Sequence, residues 1–266
     1  MLPVWLTDHV TPDLDRAVHY TLLWGLEGVV LRTVGGEDDR VPFVNEEKLR
    51  RRLLEHELPC VAVDPGAFEG DVAERLVWMN ERMELAETFA FCKRLGCSLV
   101  LTGNLSQTGL DAEAAGAALR SAGDAARKAG ITLAVRNDLD TACASGEALA
   151  AILNAADHPN VRAAWNPADA LEAGHDPAAG LAALGDRVAM VLVRDGERAE
   201  GGWSKAVPGE GAVGWGEHFE RLARQGFDGP ACLLVSERPR AKAGAREAYA
   251  MIRAMRAATR AARADS

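Results

Sequence analysis

Arginine and lysine side chains follow several short apolar segments of the chain, where they could hold the anionic group of a bound molecule. Arg136 ends the apolar run that starts at residue 131, and Arg32 and Arg194 come at the ends of two similar runs. A guanidinium group forks onto a carboxylate or a phosphate and keeps its charge near neutral pH. Together with Lys205, these arginines predict an anion-binding site.

Three other side chains could transfer protons. They are His9, which follows the first apolar run, and the carboxylates Asp169 and Asp195. Histidine titrates near neutral pH, so His9 is a candidate general acid or base. Each of the three also has a structural interpretation, because loop histidines are commonly hydrogen-bonded and aspartates commonly cap helices. In that interpretation Arg136 closes the rim of the site in an ion pair with Asp169 or Asp195, and the sequence leaves both interpretations open.

Asn166 and Trp203 complete the predicted ligand-binding set. Asn166 ends the apolar run that starts at residue 161, and Trp203 lies in a glycine-rich stretch over residues 196–215. That stretch predicts a long loop, and long loops inside a domain are usually functional. The indole of Trp203 offers a flat face on which a sugar ring could stack. The predicted ligand-binding residues are therefore Arg32, Arg136, Asn166, Arg194, Trp203 and Lys205.

The spacing of strand-like and helix-like segments predicts how these residues are brought together. The runs that start at residues 131 and 161 flank a helical segment at 145–155, and eight such alternations can be counted along the chain. Parallel strands of this kind close into a (β/α)8 barrel of about 250 residues, whose active site is built from the loops after the strands. We therefore predict an α/β protein with a single TIM barrel domain over residues 1–266.

Composition and charge argue against several other classes of protein. The 266-residue chain has a formal net charge of -9, so its field repels a nucleic-acid backbone and no nucleic-acid partner is expected. We expect no membrane partner either, because no apolar run reaches spanning length and the start of the chain has no signal-peptide pattern. The five cysteines are scattered through apolar surroundings, which predicts reduced thiols and a cytoplasmic location.

Several segments carry a family resemblance when they are taken together. They are GVVLR at 28–32, AGITLAVRN at 129–137, WNPADA at 165–170, GHDP at 174–177, VLVRDG at 191–196, PGEGAVGW at 208–215 and GFDGP at 226–230. In these segments the chain resembles the xylose isomerase-like TIM barrel superfamily, the sugar phosphate isomerases and epimerases. The resemblance implies a sugar-derived ligand at the C-terminal face of the barrel and, for an active enzyme, isomerase or epimerase chemistry in carbohydrate metabolism.

The resemblance also implies a divalent metal ion, but the residues that would bind it are replaced. Members of the superfamily hold Mn²⁺, Mg²⁺ or Co²⁺ with a Glu, an Asp, a His and a Glu on strands five to eight. The corresponding positions here are Arg136, Asn166, Leu192 and Leu234. A hard cation needs anionic oxygen ligands and is repelled by arginine, so we predict no metal and no other cofactor. If the alignment is shifted, a Mn²⁺ or Mg²⁺ site could instead use Asp138, Asp169, Asp195 and Glu237.

Three hypotheses about function follow. The first is a barrel that binds a small sugar-like or anionic ligand without a metal ion and retains proton transfer through His9 or an aspartate. The second is a non-catalytic pseudoenzyme, which acts as a scaffold subunit beside a sugar-metabolising enzyme or assembles with further copies of this chain. The third is a metal-dependent isomerase or epimerase with rearranged ligands.

Overall fold

Short runs of apolar and β-branched residues form parallel strands that close into a barrel. The computed structural model describes residues 1–36, 39–69, 75–105, 110–236 and 240–264. The first seven barrel strands are β1 (Leu2–Leu6), β2 (Val29–Leu31), β3 (Cys60–Val63), β4 (Leu99–Thr102), β5 (Thr132–Arg136), β6 (Val161–Trp165) and β7 (Val188–Val193). After an antiparallel hairpin of β8 (Asp195–Ala199) and β9 (Gly202–Ala206), strand β10 (Pro230–Leu233) pairs with both β7 and β1. This closed eight-stranded barrel confirms the predicted α/β TIM barrel.

Alternate residues of each strand face the barrel interior or the surrounding helices. The inner cluster includes Leu6, Val30, Leu101, Met190 and Leu192. The larger outer cluster packs strands against helices and includes the fully buried indoles of Trp5, Trp165 and Trp215. Because side chains fill the interior, the ends of the barrel are the places where a ligand can approach.

The helices pack around the outside of the barrel. They are α1 (Leu14–Leu23), α2 (Glu46–Glu55), α3 (Arg75–Leu95), α4 (Ala112–Ala129), α5 (Gly146–Ala156), α6 (Pro167–Glu172), α7 (Pro177–Leu184), α8 (Trp215–Arg224) and α9 (Arg240–Ala264). Several begin at a side chain that accepts a hydrogen bond from the first turn, as Asp13, Asn45, Asp111 and Ser145 do. Such caps satisfy backbone amides that the helix leaves unpaired.

The hairpin of β8 and β9 occupies part of the stretch that was expected to be a loop. Asp195 pairs with Ala206, and Ala199 pairs with Gly202, in antiparallel register. The expectation of a loop is therefore wrong for residues 196–206. Most residues of the two strands are exposed, so the alternation of apolar and polar residues that predicts a strand is missing from the sequence.

Two further expectations concern the membrane and the thiols. None of the described helices is both long and apolar enough to cross a membrane. All five cysteines are buried and free of disulfides, as expected. The cytoplasmic location stays a prediction.

Candidate functional site

A cavity of about 310 Å³ opens at the C-terminal ends of the barrel strands. Its floor is apolar and is formed by Leu6, Val30, Leu101, Leu192 and Cys232. Most of the predicted site residues line its walls, namely His9, Arg32, Arg136, Asn166, Asp169, Arg194 and Lys205. A second cavity, of about 540 Å³, lies at the opposite end and contains none of these side chains. Because TIM barrel active sites lie at the C-terminal face, the first cavity is the candidate site.

Asp64 is the buried centre of an arginine cluster on one side of this cavity. It follows β3 and is 1% exposed. Its carboxylate lies 3.4 Å from Nη1 of Arg136, 3.8 Å from Nη1 of Arg32 and 3.8 Å from Nη2 of Arg40. These guanidinium groups compensate a charge that is expensive to remove from water. No sequence motif identified Asp64 as a site residue. The one feature of the sequence that could have identified it is its position directly after a strand.

Arg136 and Arg32 each contact a second carboxylate. Nη2 of Arg136 lies 2.5 Å from Oε1 of Glu69, and Arg32 forms a two-pronged ion pair with Asp8 at 2.8 and 3.2 Å. Burial by itself would lower the pKa of Arg136, but the charges of Asp64 and Glu69 outweigh it and raise that pKa above its usual value. Both guanidinium groups are therefore held by the protein itself.

The carboxylates expected to pair with Arg136 have other partners. Nε of Arg194 donates to Oδ1 of Asp169 at 2.8 Å, and Nη2 contacts the same oxygen as well as Oε2 of Glu172, the latter at 2.7 Å. Burial raises the pKa of Asp169 above its usual value, and Arg194 opposes that rise. The expected pairing of Arg136 with Asp169 is wrong, because Arg194 lies directly after β7 and already holds this carboxylate.

Asp195 holds a loop in place and does not line the cavity. It is fully buried, and its carboxylate accepts hydrogen bonds from the backbone amides of Gly196, Gly209, Gly211 and Val213 at 2.8 to 3.2 Å. Burial raises the pKa of Asp195, and these hydrogen bonds act in the opposite direction. The expected pairing of Arg136 with Asp195 is also wrong, since backbone amides surround this carboxylate.

Two buried amide side chains join the ends of β5 and β6. Oδ1 of Asn137 accepts a hydrogen bond from the backbone amide of Asn166 at 2.8 Å, and its Nδ2 donates to the carbonyls of Ala144 and Asn166, both at 2.9 Å. The side chain of Asn166 caps α6 by accepting from the amide of Asp169 at 3.2 Å. The sequence pattern predicted Asn166 as a site residue but not Asn137. The hydrogen-bond partners of Asn137 depend on how the loops after β5 and β6 pack together.

The hairpin places Lys205 in the wall of the cavity and Trp203 outside its lining. Trp203 packs on Gly196, where an added Cβ would lie 2.3 Å from the indole Nε1. The expected stacking of Trp203 on a ligand is therefore not supported by its position. Lys205 is exposed and, within the described ranges of the chain, has no ion pair.

Three buried polar atoms without partners belong to residues that line the cavity beside β1 and β10. Nη1 of Arg240 donates to the carbonyl of His9 at 2.7 Å. Nδ1 of His9, Nε of Arg240 and Oγ of Ser236 have no hydrogen-bond partner among the described residues. Leaving such an atom unpaired costs about 1–3 kcal/mol. Ser236 and Arg240 carry no sequence signal except that they follow the last barrel strand.

The imidazole of His9 is neutral at neutral pH. Burial and then the positive charge of Arg32 lower its pKa to about 4. A neutral imidazole can accept a proton or a hydrogen bond. Proton transfer by His9 stays a prediction.

The described residues at this end of the barrel do not fit a divalent cation. Asp64 and Asp169 are held by arginines, and a fixed guanidinium charge repels a metal ion. Among the described residues, no group of three or more His, Cys, Asp or Glu side chains is arranged to hold a metal. Glu237, a candidate ligand in the shifted alignment, lies outside the described residues.

A closed parallel barrel with a polar cavity at the C-terminal ends of its strands defines a protein of the TIM barrel class. The family model for the xylose isomerase-like TIM barrel matches residues 20–255. The chain therefore belongs to the xylose isomerase-like TIM barrel family, as its sequence segments indicated.

Solved structures share this fold at low sequence identity. An L-ribulose 3-epimerase matches with a TM-score of 0.76 and 16% identity, over 100% of this chain and 98% of that chain. The probable 3-DHS dehydratase AsbF, involved in petrobactin synthesis in Bacillus anthracis, matches with a TM-score of 0.76 and 13% identity, over 95% of this chain and 98% of that chain. A xylose isomerase-like TIM barrel/4-hydroxyphenylpyruvate dioxygenase fusion protein matches with a TM-score of 0.78 and 20% identity, over 96% of this chain and 42% of that chain. A comparison with curated proteins finds no match.

Proposed function

We propose that this barrel binds a small sugar-derived molecule with an anionic group at its C-terminal cavity, without the divalent cation of its relatives. One observation carries the proposal. Asp64 and Asp169 form ion pairs with arginines. Lys205 and Arg240 also line the cavity, but they have no carboxylate at ion-pairing distance in the described part of the chain. An anionic ligand would supply the missing partner.

Most of the cationic side chains that line the cavity are already paired with carboxylates of the protein. Five cationic side chains line the cavity against three carboxylates, Asp64, Asp138 and Asp169. Asp8, Glu69 and Glu172 pair with the arginines from outside the lining. Lys205 and Arg240 are therefore the cationic side chains of the lining that no described carboxylate pairs, in a chain with a net charge of -9, and unpaired charges of this kind attract an anion.

The size and the floor of the cavity suit one small molecule. A volume of about 310 Å³ is at the lower end of the range for ligand pockets. The apolar floor at Leu6, Val30 and Leu192 offers a surface for the C–H groups of a sugar-derived ligand. We therefore infer a monosaccharide-sized ligand.

The reaction that we propose is proton transfer on a carbon next to a carbonyl, as in an isomerisation or epimerisation. We assign this step to His9, because it lines the cavity, its Nδ1 has no hydrogen-bond partner among the described residues and a neutral imidazole can take up a proton. Asp169 is tied to Arg194 and Asp195 to a loop, so we assign positioning roles to both. The step uses no cofactor, and the buried free thiols favour a reducing compartment, the cytoplasm.

Thermal stability in the presence of metals and anions tests the proposal. We expect Mn²⁺, Mg²⁺, Co²⁺ and Zn²⁺ to shift the melting temperature by less than about 1 °C, since a ligand stabilises only a site that it occupies. D-Gluconate or D-glucose 6-phosphate should raise the melting temperature by several degrees, and neutral D-glucose should raise it less. Lys205→Gln should reduce the anion effect, whereas Lys128→Gln, on the exposed face of α4, should not.

Two outcomes would contradict the proposal. Stoichiometric metal in protein purified without chelator, or strong stabilisation by one ion, would favour the metal-dependent isomerase. Indifference to every anion and sugar, together with one defined partner protein on pull-down, would favour the scaffold.

A further inference from the structure

Helix α9 presents a basic face to solvent in an acidic protein. It contains seven Lys or Arg residues and one acidic residue, so its net charge is +6, and the rest of the chain carries -15 of the total of -9. The acidic residue, Glu247, is fully buried, whereas six of the seven cations are exposed. Opposite charges attract over the surface of a protein, so this face of α9 favours contact with an acidic surface.

An apolar groove of about 330 Å³ lies beside the C-terminal half of α9, at the N-terminal end of the barrel. Two exposed arginines one helical turn apart, Arg256 and Arg260, belong to its lining. Neither arginine has an ion pair among the described residues. The other lining residues are Met1, Pro3, Glu27, Ile252, Met255 and Thr259. The groove therefore suits apolar side chains that are accompanied by carboxylates.

Helix α3 presents a surface with the complementary chemistry. Met79 and Met83 are 49% and 67% exposed, and residues four apart share one face of a helix. Glu84 and Glu87 lie beside them, are exposed and have no ion pair among the described residues. Methionine is flexible and fills irregular apolar surfaces well. This part of α3 thus combines two apolar anchors with two free carboxylates.

We propose that α3 of one copy of this chain docks in the α9 groove of a second copy. Met79 and Met83 enter the apolar groove, and the carboxylates that follow them meet Arg256 and Arg260. Side chains three or four positions apart on a helix have Cβ atoms about 5–6 Å apart. The spacing of Glu84 and Glu87 therefore matches the spacing of the two arginines, and two ion pairs form side by side.

Charge favours a second copy over a membrane or another polyanion as the occupant. An anionic membrane would match the cations of α9 but would be repelled by the charge of -15 on the rest of the chain. A second copy supplies its acidic residues together with apolar anchors on one helix face. Both halves of the contact are then present in every copy.

The two surfaces lie on different sides of the barrel. Helix α9 follows β10 and α3 follows β3, and β1 and β2 separate these strands in the barrel order. A contact between two different surfaces is heterologous, so it builds rings or chains of copies and not a symmetric dimer.

Sedimentation of the full chain at increasing protein concentration tests the proposal. We expect the average mass to rise above that of a single chain, and to rise less at about 1 M salt than at about 0.1 M, because salt screens the ion pairs. Arg256→Glu/Arg260→Glu and Met79→Glu/Met83→Glu should each weaken association by at least about tenfold. Lys242→Glu is the matched control, because it makes the same charge change at an exposed position of α9, about 20 Å away along the helix. It should leave association unchanged.

An equimolar mixture of the two double variants gives the sharpest result. One variant keeps an intact α3 surface and the other keeps an intact groove, so the mixture should recover one contact and form a 1:1 complex that grows no further. This recovery also shows that both variants are folded.

Four outcomes would overturn the proposal. They are a mass that stays that of a single chain at every concentration, association that either double variant retains, an equal loss in Lys242→Glu, and a mixture that does not associate. A chain that stays single but sediments with phosphatidylserine vesicles would assign the basic face of α9 to a membrane surface instead.

Discussion

Arg136 could have been an anion clamp or part of a structural ion pair, and its contacts favour the structural interpretation. It lies against Asp64 and Glu69 at 3.4 and 2.5 Å. Asp64 is 1% exposed, so it depends on its guanidinium neighbours for compensation. Removing one partner of a buried ion pair leaves an uncompensated charge. This destabilises the protein more than replacing both partners with apolar residues of similar volume.

Arg136→Ala should therefore lower the free energy of unfolding by about 2–3 kcal/mol. Arg32 and Arg40 remain near Asp64, each at 3.8 Å, which keeps the loss below that of an isolated buried charge. Urea denaturation measures the change. Arg127→Ala is the control, because its ion pair with Asp124 is exposed and contributes at most about 0.5 kcal/mol. If Arg136→Ala were as stable as Arg127→Ala, the arginine would be free to act on a ligand.

His218 makes stability depend on pH through a contact far from the cavity. Its Nε2 accepts a hydrogen bond from Trp165 Nε1 at 3.1 Å, and it is 3% exposed. Burial and then the charge of Arg221 lower its pKa from 6.5 to about 4. The unfolded chain therefore binds more protons than the folded chain between these two values, and stability falls as the pH falls through that window.

The predicted loss that is due to His218 is about 2 kcal/mol between about pH 7.5 and about pH 5. His218→Gln should lack this part of the pH dependence, because glutamine does not take up a proton in that range. Urea denaturation at both pH values gives the comparison. His19→Gln, at an exposed histidine of α1, should keep the dependence of the original protein. Identical curves for His218→Gln and the unmodified chain would show that the buried imidazole is not the cause.

At the scale of elements, the contact between α5 and α7 is closer than ordinary side chains allow. A Cβ added at Gly146 would lie 2.4 Å from Cα of Gly180. A Cβ added at Gly180 would lie 2.8 Å from the Trp165 ring. Glycine therefore lets α7 approach both the start of α5 and the outer face of β6, where overpacking would force the backbone apart.

Gly146→Ala should destabilise the protein by about 1–3 kcal/mol, because its new methyl group meets backbone atoms that cannot rotate away. Gly216→Ala is the matched control, since no heavy atom lies within 4 Å of a Cβ placed there. That substitution should stabilise α8 by about 0.5 kcal/mol, because alanine favours a helix more than glycine does. Thermal denaturation distinguishes the two. Equal melting temperatures would contradict the close approach of α5 and α7.

The main elements were predictable because their signals are local. The barrel strands are short apolar runs, and helices such as α4 begin at a capping residue and end at a glycine. Helix α6 lacks a periodic apolar face of useful length, and it is defined by the Asn166 cap and by Pro167 at its first position. The β8–β9 hairpin was missed because its exposed, polar strands show no apolar alternation.

At the scale of the whole molecule, sequence reasoning brought the right loops together but assigned some of the wrong partners. The barrel pattern places loop residues such as His9 and Arg194 at one end. Which carboxylate meets Arg136 depends on side-chain directions across the cavity, and sequence spacing does not contain those directions. Asp64, Ser236 and Arg240 were missed for the same reason. Each becomes informative only when its burial and its partners are known.

The cavity wall beside β1 and β10 joins the two ends of the folded chain. β1 and β10 pair from Leu2 with Pro230 to Trp5 with Leu233, and the contact of Arg240 with His9 spans 231 positions of sequence. Contacts between such distant segments are slow to form, because closing a long loop of chain costs conformational entropy. We therefore expect the cavity wall beside β1 and β10 to form late in folding. A chain that lacks either of these two strands therefore lacks this wall of the cavity as well.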